Sequence, residues 1–214
     1  MRENKKLQPV MMNQTSSISS MMQLDKKFIY SDEELMKRFQ NGDENAYIEL
    51  VNRYRDKILN FIFNYIGDFE ISEDIVQDTM VKLYQKKHYY KEIAKFSTWL
   101  YTIAKNLANT ELRKKKQRKT TILSHISKDD KPYDIPSDQP GTHQEIESEI
   151  TSKIIRNAID QLTDKFRTVI LLRDIQELSY EDISSIVGVP IGTIKSRINR
   201  ARLQLQIELK HLRT

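Results

Sequence analysis

From Ala46 to Tyr65 the apolar residues fall at three- and four-residue steps: Ala46, Leu50, Tyr54, Ile58, Phe61, Ile62 and Tyr65. That spacing gathers them on one stripe of a helix, wide enough to build a core. A shorter helix should precede it, with Ser31 as N-cap of the acidic turn "DEE" and Asn41-Gly42 as its stop. Gly67 should close the long helix. Ser72 is then predicted to cap "EDIVQDTMVKLYQKK", with Ile75, Val76, Met80, Leu83 and Tyr84 inward and Asp74, Gln77, Asp78 and Lys82 on the opposite side. Beyond "HYYKEIAKFS" the spacing of Leu100, Ile103, Leu107 and Leu112 predicts a helix over 98–118, ending in the cationic run "RKKKQRK".

The last third of the chain repeats the 3.6-residue signal in four shorter pieces, over 148–162, 164–175, 179–187 and 191–211. Ser179 and Asp182 have capping-box spacing, Gly188 suits a left-handed helix stop, and Pro190 sits at the entry of the last helix. Between the two helical stretches lies "KDDKPYDIPSDQPGTHQEIE", which holds three of the five prolines and no apolar period. It reads as a linker kept extended by proline and like charge. The expected fold is all-α, with two small helical domains joined by an acidic, Pro-containing linker. Its divisions are a polar tail at 1–24, a first domain at 25–118, the linker at 119–147 and a second domain at 148–214.

Charge sharpens this division. The formal net charge is +5, yet residues 127–150 hold 2 basic and 7 acidic groups. Both flanking segments are net basic, an arrangement expected of two nucleic-acid-facing modules around a segment that avoids or imitates nucleic acid. Ordinary surface charge is the bland alternative. There is no cysteine, and His88, His125, His143 and His211 have no ligand spacing, so neither a disulfide framework nor a metal site is expected. No apolar run approaches the about 20 residues of a membrane span. Nothing in the chain calls for a cofactor.

Helix, glycine-containing turn and basic helix form the helix-turn-helix pattern. In the last helix Ile194, Ile198, Ala201 and Leu205 make the buried stripe, leaving Thr193, Lys195, Ser196, Arg197, Asn199, Arg200 and Arg202 largely on other faces. These side chains can donate to base edges and phosphates, and no Asp or Glu occurs between Asp182 and Glu208. A merely solvated helix face would mix in acids. In the first domain, Tyr89, Tyr90, Phe96, Trp99 and Tyr101 are interleaved with Lys91, Lys105, Asn106, Asn109 and Arg113. Aromatics that stack on unpaired bases beside cations that hold phosphates would make a single-strand binder. Trp99 and Tyr101 also suit a core, and Tyr90 and Phe96, flanking an interhelical loop, are the stronger candidates for base contact. The face of Asp74, Gln77, Asp78 and Lys82 has no His partner or metal set for catalysis, and suits docking of a helical protein partner.

"SEDIVQDTMVKLYQKK", "FSTWLYTIAKNLANTELRKKKQR" and "LTDKFRTVILLRDIQELSYEDISSIVGVPIGTIKSRINRARLQL", in that order, resemble an extracytoplasmic-function (ECF) sigma factor of the bacterial sigma-70 family, from about residue 25 to 210. The resemblance implies a cytoplasmic, nucleoid-associated protein without catalytic activity, monomeric when free. It would bind core RNA polymerase at the β′ clamp helices and the β flap, and direct initiation at promoter DNA, with an anti-sigma factor as a further partner. It implies that Asp74, Gln77, Asp78 and Lys82 dock on polymerase. Tyr90, Lys91, Phe96, Asn106, Asn109 and Arg113 would engage and melt the −10 element. Arg173, Thr193, Lys195, Ser196, Arg197, Asn199 and Arg200 would meet the −35 element, and the linker's charge would mimic RNA. Thr110 and Glu111 depart from the family pattern in the −10-facing helix.

Two other classes compete. A stand-alone helix-turn-helix regulator would bind DNA specifically without polymerase. A nucleic-acid enzyme would require a carboxylate–metal cluster or an activated nucleophile, and the sequence offers neither.

Overall fold

Gly67 and Gly42 set the beginning of the fold, because each turns the chain at positive φ (78° and 99°) where a side chain would be strained. In the computed structural model, which describes residues 30–123 and 143–210, they separate three helices: α1 (Asp32–Gln40), α2 (Glu44–Ile66) and α3 (Phe69–Gln85). Asp43 caps α2, its Oδ1 accepting from the Asn45 and Ala46 amides, while Arg38 grips the same carboxylate at 2.7 Å. All seven residues of the predicted α2 stripe are buried. At about 2 kcal/mol for each large apolar side chain fully removed from water, this stripe contributes substantially to the first bundle's stability.

Two details of α3 differ from expectation. Asp68, not Ser72, is its N-cap, with Oδ1 accepting from the Ile71 amide at 3.1 Å. Gly67 ends α2 so abruptly that α3 starts at once, and Ser72 is buried inside it, donating back to the Asp68 carbonyl. Tyr84 is exposed rather than inward. It forms the rim of an aromatic trio with Phe39 and Tyr47, and its hydroxyl donates to Glu44.

After a 3-10 turn at Lys87–Tyr89 and an exposed loop, α4 runs from Phe96 to Leu123. It begins two residues earlier than predicted because Glu33 of α1 accepts from the Phe96 amide at 3.0 Å. Its buried stripe is Leu100, Tyr101, Ala104 and Ala108, while Ile103, Leu107 and Leu112 are half-buried. The stripe is shifted because α4 is gripped on two sides, and the two alanines let neighbouring helices come close.

The second bundle contains α5 (His143–Gln161), α6 (Asp164–Ile170), α7 (Tyr180–Val187) and α8 (Ile191–Glu208). The α6 helix widens into a π-helical turn over Leu171–Ile175 before the chain bends at Glu177. Ser179 accepts from the Asp182 amide at 3.1 Å and donates to its carboxylate at 2.6 Å, so Ser179 caps α7, with Asp182 bonded to its hydroxyl rather than to its backbone amide as in a full capping box. Gly188 ends α7 in the left-handed region (φ 75°) and Pro190 precedes the first turn of α8. Ile183, Ile186, Ile194, Ile198 and Ala201 close the core with Val169 to Leu172, whereas Leu205 is only half-buried.

The fold is thus all-α, built of two helical bundles, with no strand among the described residues. The tail at 1–24 and positions 124–142 of the expected linker lie outside the described residues. Positions 119–123 and 143–147 of the expected linker are helical, since α4 continues to Leu123 and α5 starts at His143.

From Asp32 onward the two bundles gather into one compact unit, with α7 against α4 and the π turn against α2. Several hydrogen bonds cross the seam. Tyr101 donates to Gln176 at 2.5 Å, and Gln176 in turn donates to Asn60 at 3.1 Å. Lys95 and Thr98 both donate to Asp182, and Lys105 donates to the Ile186 carbonyl at 2.5 Å. Thr168 donates to the Tyr65 hydroxyl, which itself donates to Asn109.

Candidate nucleic-acid interface

Helix α8 is positioned by its own apolar stripe: with Ile194, Ile198 and Ala201 fully buried, the intervening residues must face outward. Lys195, Ser196, Asn199 and Arg200 are exposed, and Thr193 and Arg197 are half-buried. Thr193, Ser196, Arg197 and Arg200 line a shallow cleft of about 310 Å³ together with Gly192, Lys165 and Phe166. Lys165 escaped the sequence reading, since it belongs to α6 and only the packing of α6 against α8 brings it there. Arg173 is held by the fold, its Nη1 donating to the Leu178 carbonyl at 2.7 Å and its guanidinium lying 4.8 Å from the Tyr180 ring. Lys195 approaches that ring at 6.0 Å, so Arg173 stands beside the basic helix. Arg202 is paired with Asp174 through two hydrogen bonds and is thereby committed to the bundle itself.

In the first bundle, Asn106, Asn109, Thr110, Leu112, Arg113 and Lys116 of α4 line a second cleft, of about 550 Å³, with Asp164 across from them. Asn106 and Arg113 are exposed, whereas Asn109 is half-buried and accepts from Tyr65 at 2.7 Å. Glu111, the departure from the family pattern, is paired with Lys114 at 3.0 Å. Lys105 is half-buried against the second bundle, and that burial lowers its pKa from the ordinary lysine value.

Tyr90 and Phe96 are not displayed for base contact: they are 7% and 0% exposed. Their rings meet edge to face at 6.1 Å, and Phe96 packs in the same way on Tyr54 at 5.3 Å. Burial pushes the Tyr90 phenol up to about 12, so it stays protonated and donates to the Ala94 carbonyl at 2.9 Å. Trp99 is half-buried against Tyr90, and Tyr101 is buried at the seam. The loop presents other side chains instead. Lys91 is exposed, and Tyr89 and Ile93 are 78% and 88% exposed. Sequence reading favoured the aromatic pair because aromatics stack on bases; alternation across a tight turn sends Tyr90 inward and Tyr89 out.

On α3, Asp74, Gln77 and Asp78 are exposed and Lys82 is half-buried, together on one face with exposed Val81. An acidic rim around apolar surface suits a basic helical partner better than a nucleic acid.

Two family models match the chain in the same order as the two bundles: sigma-70 region 2 over residues 50–118 and sigma-70 region 4 over 152–205. The ECF RNA polymerase sigma factor SigW of Bacillus subtilis is 35% identical, over 83% of this chain and 96% of its own. This chain belongs to the ECF sigma factors of the sigma-70 family. A second relative, the ECF RNA polymerase sigma-E factor of Haemophilus influenzae, is 33% identical over 85% of this chain and 97% of its own. Among solved structures, the sigma factor RpoE of Bartonella quintana, crystallised with the anti-sigma factor NepR, aligns with a TM-score of 0.60 at 26% identity. That alignment covers 77% of this chain and 96% of RpoE. CnrH, in complex with the cytosolic domain of CnrY, shares the fold at 18% identity and a TM-score of 0.64, over 85% of this chain and 99% of CnrH. As an ECF sigma factor the protein binds core RNA polymerase and directs promoter recognition, and is a specificity subunit rather than an enzyme. No helix among the described residues is long and apolar enough to cross a membrane.

Proposed function

We propose that the α8 cleft reads the −35 element through Thr193, Lys195, Ser196, Arg197, Asn199 and Arg200, flanked by Arg173 and Lys165. The observation that carries this reading is the exposed, acid-free surface of α8 from Gly192 to Arg200, next to a turn fixed by Gly188. The α3 face of Asp74, Gln77, Asp78 and Lys82 docks on the β′ clamp helices, and the second bundle meets the β flap. The loop after Tyr89 and the α4 residues Asn106, Asn109 and Arg113 engage the −10 element, with Lys91 and Ile93 at the base-facing tip. Tyr90 and Phe96 support that loop from below. Flipping a base out of the stack costs a few kcal/mol, which stacking and hydrogen bonds at the tip must offset.

Lys105 is engaged at the seam by the Ile186 carbonyl, and Asp164 of the second bundle lies across the α4 cleft, so full contact with −10 DNA requires the bundles to separate. Polymerase, gripping each bundle at a different place, supplies the energy to separate them. An anti-sigma factor is the natural antagonist of this step, as RpoE is found with the anti-sigma factor NepR in its structure. The acidic segment at 124–142, outside the described residues, is assigned to the path of nascent RNA.

Transcription in vitro with core polymerase and a genomic promoter library tests the reading. Specific starts above core alone are expected. Arg200→Ala should weaken −35 recognition by roughly 1–3 kcal/mol, with little effect on scrambled DNA. No initiation from any promoter would overturn the reading.

A further inference from the structure

Loops that leave large apolar side chains in water are ordinarily mobile, because little holds them. The loop between the 3-10 turn and α4 is built differently. Gln40, the last residue of α1, donates its side-chain amide to two backbone carbonyls at once, Lys87 at 2.7 Å and Tyr90 at 3.0 Å. The Tyr90 hydroxyl reaches over the loop to the Ala94 carbonyl at 2.9 Å. The Ile93 amide donates to the Lys91 carbonyl at 2.7 Å, which tightens the tip. Glu33, again from α1, accepts from the amide of Phe96 where α4 begins. Entry, tip and exit are therefore each tied, and two of the ties come from a helix that contributes nothing to the loop's own surface.

We infer that Gln40 and Glu33 are positioning residues for −10 specificity: α1 holds the loop from Lys91 to Lys95 in one shape before DNA arrives. The inference rests on the proposed reading that this loop meets the −10 bases. Its physical basis is preorganisation. A loop already in its bound form loses less conformational entropy on binding, and a fixed tip rejects a base that a pliable tip would accommodate. Ile93, 88% exposed, sits between the ties, and its backbone amide is itself bonded to the Lys91 carbonyl. Gln40 suits the role because its two donors span the entry turn, which neither a carboxylate nor a shorter side chain could do.

The test uses the full chain with core polymerase and promoters that differ at single −10 bases, on duplex and on pre-melted templates. Gln40→Met keeps the bulk and removes the donors; Glu33→Ala removes the exit tie. Tyr90→Phe keeps the buried ring and removes one hydroxyl, so it serves if either other variant fails to fold. Each is expected to bind core polymerase and −35 duplex as the parent does. Preference between the best and a mismatched −10 base, about tenfold or more in the parent, should shrink to about twofold. The loss should persist on pre-melted templates. A merely structural role would lower output from all promoters in parallel and leave the ratio intact, and that result would overturn the inference. Ile93→Ala separates the two levels. If it shifts the base preference while the α1 variants and Tyr90→Phe do not, only the inference falls; if it does not, the loop reading falls and takes the inference with it.

Discussion

Asp182 shows how much one side chain can carry. Its backbone amide and carboxylate both bond the Ser179 hydroxyl that caps α7, and the same carboxylate accepts from Thr98 at 3.0 Å and Lys95 at 2.8 Å in the other bundle. Burial alone would raise its pKa, but the hydrogen bonds from Lys95, Ser179 and Thr98 outweigh it and hold the carboxyl below its ordinary value of 3.8. Because the folded value is depressed, the stabilisation is complete above the unfolded value and is lost as pH falls through the folded one. Asp182→Ala should cost about 1–2 kcal/mol in urea unfolding at neutral pH. Lys95 is largely exposed, so water screens its pairing, and Lys95→Ala should cost less than Asp182→Ala when the two are compared in a double-mutant cycle. Asp182→Asn should flatten the acid limb of the stability curve; an unchanged limb would assign the acid sensitivity to other carboxylates.

At the scale of elements, the turn between α7 and α8 gives opposite predictions for two nearby glycines. A Cβ on Gly188 would meet no atom within 4 Å, but its φ of 75° would strain any side chain. Gly188→Ala should therefore cost about 1 kcal/mol and lower Tm. Gly192, in the first turn of α8, has equal space and no such φ, so Gly192→Ala should leave Tm unchanged or raise it slightly. Equal destabilisation by both would show that space, not backbone conformation, governs the turn. The same local logic explains what could be read from the chain. The α2 stripe, the Ser179 cap and the Gly188 stop were legible because they depend on neighbours three or four residues away. Ser72 was mistaken for a cap because Asp68 and Ser72 are both capping residue types, and only the site of the Gly67 turn decides between them. For the candidate site, the α8 face follows from one helix period. The burial of Tyr90 and Phe96, and the presence of Lys165, depend on contacts between helices distant in sequence, where periodicity is silent.

For the whole molecule, the seam between the bundles differs from the cores on either side. Its hydrogen bonds each contribute about 1 kcal/mol net, since water can replace the partner when they break. Such a seam can hold two bundles together yet yield to a partner that binds each one more strongly. The chain has no cysteine, so Lys86→Cys and Glu208→Cys give unique labelling positions on exposed sites of the two bundles. Energy transfer between the labels should fall when core polymerase is added. It should fall partway in the free protein carrying Tyr101→Phe and Gln176→Ala, which removes the 2.5 Å contact. Identical transfer in all three states would mean that the packed arrangement persists in the holoenzyme.

Trp99 is the chain's sole tryptophan, and it lies with its ring 5.4 Å from Tyr90 at the foot of the tied loop. Its neighbour Thr98 donates across the seam to Asp182. The unmodified protein therefore carries an optical probe at the point where loop and seam meet. In the free protein, selective excitation of that indole follows, without any label, how a change at the loop or at the seam is felt by the other.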